Sequence, residues 1–427
     1  MRGHIAPLFR SRAGCRARPE HDERHGEEVD GTQALLGPPM NDPFRPYRKA
    51  FRAWRSLRRL EREREHYRLE FDRRGFTIPD PESVLRAVRT RRPRLAAVPR
   101  GALHTLAIFH DYNWERTAFM PALGKFGEAV CYDWRDRFDH GSKDWAKRLK
   151  GEMNRDLLEF VRALSRERPP GFIFTYLSGG LVTPETVREL SNLGAPMVNL
   201  ALNDKEAFVG RVRDGGAAGV RDICRHFDLC WTSTRDALEK YCVEGAIPVY
   251  LPEGANPEIH RPYEVEKTFD VSFVGQCYEN RPAVIAALRD AGIRVEAFGP
   301  GWPSGPLPTV EMVRTYSRSR INLGFGGVAG HKDTFHLKGR DFEVPMSGGL
   351  YLTEHCDELE RFFDIGKEIV TYKGIGDLVT KVRWLLSNPG EADAIRQAGR
   401  RRALSEHTWE MRFDKILTML GVIEPRE

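Results

Sequence analysis

Short apolar stretches alternate with amphipathic stretches along most of this sequence. Buried strands are predicted at residues 106–109, 129–132, 172–177, 196–202, 228–232, 248–251, 270–274, 295–298, 321–324, 350–352 and 369–372. Helices are predicted between and after them, at residues 117–126, 145–166, 184–193, 234–243, 282–291, 310–317, 340–346, 377–386, 392–406 and 409–420. Parallel strands need helical crossovers of this length, so the alternation predicts an α/β protein with doubly wound parallel sheets.

The alternation restarts after the loop Pro252–Pro257, which is rich in proline and glycine. A chain of 427 residues is also longer than one core comfortably holds. We therefore predict two facing Rossmann-like domains with a cleft between them. The predicted parts are a disordered tail at 1–39, a basic helical extension at 40–100, domains at 101–257 and 265–405, and a last helical segment at 406–427. The composition changes at Met40, and a translation start there is a hypothesis.

Residues 44–71 form a strongly basic helical pattern. Apolar residues recur on one face at three- and four-residue spacing, namely Tyr47, Ala50, Phe51, Trp54 and Leu57. Arginines fill much of the remaining surface. The pattern is typical of a helix that lies on an anionic membrane surface or grips an acidic partner. The alternative, which we favour, is a helix docked on its own protein with a solvated arginine face.

The basic charge of the chain is concentrated in one segment. Residues 41–100 contain eighteen Lys and Arg against eight Asp and Glu, a net charge of +10, whereas the whole chain carries only +6. This argues against a nucleic-acid-binding core. There is no apolar run of about eighteen residues and no secretory signal. The seven cysteines are scattered without a CxxC pair. We expect a cytoplasmic protein with reduced thiols and no zinc site.

Ligands of open parallel sheets bind outside the carboxyl ends of the strands. In the first domain this rule selects His110 and Asp111 as acid/base candidates, with a structural, hydrogen-bonded histidine as the alternative. In the second domain it selects Gly275, Gly301 and Trp302. Trp302 would stack on a nucleobase, or serve only in packing.

The stretch 336–354 combines a basic cluster, a short helix and a strand. Lys338 and Arg340 come at the start of the helix, and Gly348 and Gly349 end it. Such an element presents backbone N–H groups, the positive end of a helix dipole and two cations at one place, which suits a diphosphate. An ordinary crossover with surface Lys and Arg is the alternative.

Two further side chains extend this prediction. Glu343 lies one turn into the helix, where it can accept hydrogen bonds from a ribose diol. Arg281 precedes a helix that Pro282 begins, so it can contact a phosphate at that helix's positive end. The sequence contains neither GxGxxG after the first strand nor GxxxxGK[ST], which disfavours a dinucleotide-dependent dehydrogenase and a P-loop enzyme.

Five pieces of sequence carry a specific resemblance. They run in order from Asp270 to Phe413: DVSFVGQCYENR, YSRSRINLGFG, KGRDFEVPMSGGLYLTE, FDIGKEIVTYKGIGDL and SEHTWEMRF. Together they resemble the CgeB/YkvP-type glycosyltransferase family, within the wider GT-B enzymes of the GT4 kind. A looser match reaches back to about Trp231. Residues 101–230 match only in architecture, and residues 1–100 do not match.

The resemblance implies a glycosyltransferase that moves a sugar from a nucleotide-diphosphate sugar to a hydroxyl of a glycan, a lipid-linked glycan or a small acceptor. It implies a donor site on the second domain, an acceptor site on the first, and a final helix that crosses back to the first domain. By resemblance, Arg281, Lys338 and Arg340 contact the diphosphate and Glu343 the ribose. The other expected donor-site residues are Gly275, Gly301, Trp302, Gly348 and Gly349. Neither a metal nor a cofactor is expected.

One position departs from the wider GT4 pattern. That pattern has a second Glu eight residues before the one that matches Glu343, and here the position holds Phe335. An acid that would contact the donor sugar is missing, so sugar specificity and detailed mechanism do not carry over. Two other functions stay open: a non-catalytic glycan- or nucleotide-binding module of an envelope or coat assembly, and a nucleotide-sugar epimerase. The expected partners are donor and acceptor, with a peripheral membrane contact through 44–71 and no nucleic acid.

Overall fold

Two parallel sheets dominate the part of the chain that the structure, a computed structural model, describes: residues 45–328 and 331–425. The predictions of a disordered tail at 1–39 and of a start at Met40 fall outside these residues. No helix in the described residues combines the length and the apolar character needed to cross a bilayer.

The first sheet lies in the half of the chain that precedes residue 257. Its strands, in chain order with one short hairpin, are β1 (Leu103–Ile108), β2 (Gly127–Tyr132), β3 (Phe172–Thr175), β4 (Met197–Ala201), β5 (Val212–Arg213), β6 (Gly216–Ala217), β7 (Leu229–Thr232) and β8 (Pro248–Tyr250). Six strands are parallel in the order β2-β1-β3-β4-β7-β8, whereas β5 and β6 pair separately. Every residue of β1, β3, β4 and β7 is buried, as expected for strands covered on both faces.

The helices of this half are α1 (Arg45–Arg73), α2 (Pro81–Arg91), α3 (Glu115–Gly124), α4 (Lys150–Glu167), α5 (Pro184–Ser191), α6 (Asp204–Ala207) and α7 (Leu238–Val243). The helix predicted at 145–166 is divided, because its first turn, Trp145–Leu149, is π-helical. Helix α2 was not predicted, although its start carries a recognisable signal. Asp80 caps it by accepting a 2.7 Å hydrogen bond from the backbone N–H of Ser83, and Pro81 follows at the first position.

The second sheet repeats this architecture. Its strands and a second hairpin are β9 (Phe269–Val274), β10 (Val295–Phe298), β11 (Ser319–Leu323), β12 (Gly327–Val328), β13 (His331–Phe335), β14 (Tyr351–Glu354) and β15 (Val370–Tyr372). The helices are α8 (Arg281–Asp290), α9 (Thr309–Arg318), α10 (Arg340–Met346), α11 (Gly374–Ser387), α12 (Pro389–Glu406) and α13 (Trp409–Leu420). The sheet order is β10-β9-β11-β14-β15, and β12 and β13 form a hairpin outside it that was not predicted.

Strand order locates the ligand-binding edge in both halves. In each sheet the second strand lies on one side of the first, and the third strand lies on the other. The direction in which strands are added to the sheet therefore reverses at β1 in the first sheet and at β9 in the second. These two crevices, at the carboxyl ends of the strands, are the places where open α/β sheets bind ligands.

The last helix, α13, packs against the first sheet rather than the second. The Trp409 ring lies 5.1 Å from that of Phe119, and the Phe413 ring lies 5.0 Å from that of Phe174. The helix begins against the segment that joins the two halves. A Cβ on Gly254 in that segment would come within 2.7 Å of the backbone nitrogen of Trp409. The segment that joins the two sheets and the segment that returns thus pack on each other.

Helix α1 is docked at one end and exposed at the other. Near its end, Tyr67 is buried and donates a 2.7 Å hydrogen bond to Glu244, and the buried Lys240 pairs with Glu63 at 2.8 Å. Near its start, Phe51 and Trp54 are 57% and 53% exposed. The docked reading therefore describes the helix from Ser56, which lies 3.2 Å from Nδ1 of His331 in β13, to its end, whereas Phe51 and Trp54 present their rings to solvent.

Candidate functional site

Arg281 lies at the crevice of the second sheet, as the first residue of α8. Its side chain is buried and folds back over the loop that follows β9. It donates hydrogen bonds to the Gln276 carbonyl (2.8 Å) and to the Tyr278 hydroxyl (2.6 Å), and its guanidinium lies 3.7 Å from the centre of the Tyr278 ring. Burial, and then the neighbouring Arg340, lower the pKa of Arg281 to about 10.

Arg340 reaches the same crevice from the start of α10. Its Nη1 donates a 3.1 Å hydrogen bond to the carbonyl of Val274, the last residue of β9. A Cβ on Gly275 would lie 2.6 Å from that Nη1, so the guanidinium occupies its place only because residue 275 lacks a side chain. The structure thus brings together Gly275, Arg281 and Arg340, three of the residues predicted from the sequence.

Lys338 completes a group that we call the cation cluster: Arg281, Lys338 and Arg340. Burial, and then Arg340, lower the pKa of the Lys338 ammonium to about 8. Its Nζ lies 2.5 Å from Nε2 of the buried His336, whose pKa burial also lowers. Among the described residues, no carboxylate comes within 4 Å of the charged groups of the three cations. Three cations held together without an ionic partner favour the binding of an anion.

Carboxyl groups lie beside the cation cluster. Glu343, on α10, has Oε1 3.8 Å from His260 Nε2. Glu253, from the other half of the chain, faces it: a Cβ on Gly339 would lie 3.1 Å from an oxygen of each carboxyl group. Burial, and then Glu343, raise the pKa of Glu253 to about 8, and burial raises that of Glu206 to about 7. The cleft therefore contains several groups that titrate near neutrality, a frequent property of functional sites.

Trp302 and Gly301 follow β10 but have packing roles in this structure. The indole N–H of Trp302 donates a 2.8 Å hydrogen bond to the Gly275 carbonyl, and its ring meets Phe273 edge-on at 6.2 Å. Gly301 adopts a φ of +82°, which favours glycine, and a Cβ there would lie 3.0 Å from Cβ of Cys277. Both residues thus support the loop that carries Gly275.

Gly348 and Gly349 are not brought to the cation cluster. They follow the last residue of α10, whereas Arg340 is its first. A Cβ on Gly348 would lie 3.3 Å from Pro262, and one on Gly349 would lie 2.7 Å from the Asn322 side chain. Their requirement for glycine therefore comes from the turn into β14 and its close packing.

Phe335 ends β13 and lies beside a cavity of about 450 Å³. The cavity is also lined by Val284, Glu354, Tyr372 and Ile375. The Glu354 carboxylate already has partners there: its Oε2 accepts hydrogen bonds from the backbone N–H groups of Gly326 (2.9 Å) and Gly327 (3.2 Å). The position that would hold an acid in the wider pattern thus contributes an apolar wall.

His110 and Asp111 follow β1 at the crevice of the first sheet, and both are buried. The Asp111 carboxylate pairs with Arg135 at 2.9 Å and accepts a hydrogen bond from the backbone N–H of Arg116. Nδ1 of His110 lies 3.5 Å from Oδ1 of Asp133, the residue after β2. Asp133 was not predicted, although the same strand-end rule selects it. His260 and Glu206 were missed as well, since their places depend on the tertiary fold.

Metal ligands are not grouped in the described residues: no three His, Cys, Asp or Glu side chains are placed to hold a metal ion together. The six cysteines of this part of the chain are free thiols.

Several solved structures share this fold. Sucrose-phosphate synthase from Thermosynechococcus elongatus matches with a TM-score of 0.54 and 10% identity, over 75% of this chain and 99% of its own. A glycosyltransferase from Rickettsia africae matches with a TM-score of 0.53 and 10% identity, over 74% and 97%. Anabaena HepE in complex with UDP-glucose matches with a TM-score of 0.51 and 8% identity, over 75% and 100%. The chain has the GT-B fold, with two Rossmann-like domains, as predicted.

The sequence adds the chemical class. Residues 281–418 match the model of a family described as glycosyl transferase-like. That segment begins at Arg281 and includes Lys338, Arg340 and Glu343. No curated protein matches the chain by sequence. The family match and the fold together support a glycosyltransferase with the GT-B fold.

Proposed function

We propose that the cation cluster of Arg281, Lys338 and Arg340 binds the diphosphate of a nucleotide-sugar donor. The observation that carries the proposal is the grouping of three cations, one buried and two half-buried, at the crevice of the second sheet, without a carboxylate within 4 Å among the described residues. A diphosphate would supply the missing negative charge. It would also leave readily, because the same cations stabilise the charge that develops on it as the sugar is transferred.

Glu343 is proposed to accept hydrogen bonds from the ribose. It lies on the same short helix as Arg340, one turn further along. A nucleoside diphosphate held by both residues would span the start of α10. UDP and UDP-glucose are the first ligands to test, since the similar HepE structure contains UDP-glucose.

The experiment is calorimetric titration of the full-length protein with UDP, UMP and uridine. We expect UDP to bind most tightly, because charge-assisted hydrogen bonds to the second phosphate are lost in UMP. Equal affinities for UDP and uridine would reject the proposed diphosphate site. Turnover of UDP-glucose, or of another nucleotide sugar in a panel, would then identify the donor.

We propose a CgeB/YkvP-type enzyme, a hydroxyl acceptor on a glycan, lipid-linked glycan or small molecule, and the domain limits 101–257, 265–405 and 406–427. We also propose that transfer needs no metal, because cations of the chain neutralise the leaving group. Unchanged turnover after treatment with EDTA would support this, and loss of turnover that Mg²⁺ restores would reject it.

The exposed start of α1 is proposed to contact the cytoplasmic face of an anionic membrane. Phe51 and Trp54 are stacked at 5.8 Å and stand beside Arg55 and Arg58. Interfacial aromatic rings flanked by arginines suit an anionic lipid surface. We expect vesicles containing phosphatidylserine to bind the wild type, neutral vesicles to bind it weakly, and a Phe51→Ser, Trp54→Ser variant to lose binding. Equal binding of wild type and variant would count against this contact.

A further inference from the structure

Glu206 places a buried carboxyl group at the carboxyl edge of the first sheet. It lies on α6, the short helix that follows β4. The residue is 9% exposed, and its Oε2 is buried without a hydrogen-bond partner among the described residues. A buried polar atom without a partner costs free energy, so it calls for an explanation such as strain or a ligand group that completes its hydrogen bonding. The surroundings of Glu206 favour the ligand.

The two residues that precede Glu206 are anchored. Asp204 accepts a 2.8 Å hydrogen bond from the Tyr241 hydroxyl. The carbonyl of Lys205 accepts a 3.3 Å hydrogen bond from the buried Lys240. The backbone that carries Glu206 is therefore held in place by α7, and the unpartnered oxygen belongs to a preorganised group.

The same segment contacts the position at which an acid is missing. Nζ of Lys205 donates a 2.7 Å hydrogen bond to the carbonyl of Phe335. Phe335 occupies the place of the second Glu of the wider GT4 pattern. Glu206 is thus the chain neighbour of a residue that contacts Phe335, although the two belong to different halves of the molecule. A carboxyl group of the first half therefore lies near the place where the pattern has one from the second half.

Glu206 also faces the cation cluster. Burial raises the pKa of Glu206 to about 7, and among the charged groups the Lys338 ammonium opposes this shift most. Burial lowers the pKa of Lys338, and Glu206 opposes that shift more than the other carboxyl groups do. The two groups nevertheless form no ion pair within 4 Å in the described part of the chain. If Lys338 holds a phosphate, this gap suits the sugar that is attached to it.

The first half contributes a second carboxyl group near Lys338, that of Glu253, but its position is different. A Cβ on Gly339 would lie 3.1 Å from an oxygen of Glu253 and equally close to one of Glu343. Burial, and then Glu343, raise the pKa of Glu253. Glu253 therefore lies at the ribose end of the proposed site, and Glu206 lies at the end next to Phe335.

We propose that Glu206 binds a hydroxyl group of the donor sugar and thereby replaces the acid that is missing at Phe335. This inference rests on the proposed function. A sugar hydroxyl would give Oε2 of Glu206 the hydrogen bond that it lacks, and a carboxylate accepts such a bond strongly. In the wider pattern the acid belongs to the domain that binds the diphosphate, whereas Glu206 belongs to the opposite half. The second half therefore holds the diphosphate, and the first half selects the sugar.

The experiment compares each nucleotide sugar with its own nucleoside diphosphate. The full-length protein is titrated calorimetrically with UDP-glucose, UDP-galactose, UDP-N-acetylglucosamine and GDP-mannose, and with UDP and GDP. The quantity of interest is the Kd of the diphosphate divided by the Kd of the nucleotide sugar. For the nucleotide sugar that the wild type binds best, Glu206→Ala should lower this ratio at least ~10-fold, as expected when a hydrogen bond to a charged group is lost. Glu206→Gln, which keeps an acceptor, should lower it less, and both variants should bind the diphosphate alone like the wild type.

Asp236→Asn is the matched control. Asp236 pairs with Lys205 at 3.3 Å, so its substitution perturbs the residue that contacts Phe335 but keeps the Glu206 carboxyl group. The ratio should stay unchanged in this variant, and an effect as large as that of Glu206→Ala would overturn the inference. The same ratio in the wild type and Glu206→Ala, with diphosphate binding intact, would also overturn it and leave the proposed function standing. Failure of the wild type to bind either diphosphate would reject the proposed function and this inference with it.

Discussion

The guanidinium carbons of Arg281 and Arg340 each lie 5.3 Å from the centre of the Phe273 ring. Two cations of like charge are thus held beside one aromatic ring, near the end of β9. Cation–π attraction and hydrogen bonds to the carbonyls of Gln276 and Val274 offset part of their repulsion. A bound anion would relieve the rest of the repulsion. This relationship is the physical basis for the predictions on donor binding.

Arg340→Ala should weaken UDP binding by about 1.5–3 kcal/mol, the usual value for hydrogen bonds to charged groups. The fold should persist, because the side chain makes one hydrogen bond within the described part of the chain, to Val274. Calorimetry measures the affinity. Arg294→Ala is the matched control, because Arg294 is exposed and pairs with Asp270 at the other end of the sheet. An equal effect of the two substitutions would contradict a local role for Arg340.

Gly275→Ala should resemble Arg340→Ala in its effect on UDP affinity. The new methyl group would lie 2.6 Å from Nη1 of Arg340 and would displace the guanidinium. The two substitutions should be strongly non-additive in a double-mutant cycle, since both remove the same contact. Gly376→Ala adds a methyl group in open space on α11 and should leave affinity unchanged. Additive losses would show that Gly275 acts by another route.

UDP affinity should fall as the pH rises from 7 to 9. The pKa of Lys338 is lowered to about 8, so the ammonium loses its charge in this range, and Glu253, with a pKa raised to about 8, gains a negative charge. Above pH 8 both changes weaken the binding of an anion. Below pH 8 Lys338 is protonated and Glu253 is neutral, so neither change operates. Lys338→Arg and Glu253→Gln should each reduce the slope, and the double variant should flatten it. A slope that the double variant retains would assign the effect to other groups.

The charge on Lys338, which should strengthen UDP binding, should lower the stability of the ligand-free protein. Because its pKa is below the ordinary value for lysine, the folded protein binds that proton less tightly than the unfolded chain does. The resulting penalty is complete below about pH 8 and disappears as the pH rises towards the ordinary value for lysine. Lys338→Met should therefore raise the free energy of unfolding at pH 7, measured with urea, and raise it less at pH 10. A loss of stability at pH 7 would contradict the uncompensated charge.

Glu343 variants should rank wild type, Gln, then Ala in nucleotide affinity. Gln keeps one acceptor but loses the charge, and Ala loses both. The 2′-deoxy nucleotide should bind the wild type less tightly than the ribonucleotide and show little further loss against Glu343→Ala. Calorimetry with UDP and 2′-deoxy-UDP measures both. Equal affinity of the wild type for the two nucleotides would exclude Glu343 as the ribose acceptor.

Much of the fold could be predicted from the period of the apolar residues. The strand at 295–298 and the helix at 409–420 have the predicted bounds, because their burial pattern and caps are local. The β12–β13 hairpin could not be predicted, since its strands are short and only tertiary contacts make them pair. Of the site, Arg281 and Arg340 could be found by the helix-start rule. The hydrogen bond from the Trp302 indole to the Gly275 carbonyl directs the ring to packing on its own loop. No sequence pattern reveals that contact.

A crystal structure of the full-length protein with UDP tests the central claim most directly. We predict that oxygens of the diphosphate lie within hydrogen-bond distance of Arg281, Lys338 and Arg340, with the ribose hydroxyls at Glu343. A diphosphate bound elsewhere, with the three cations free of it, would contradict the account.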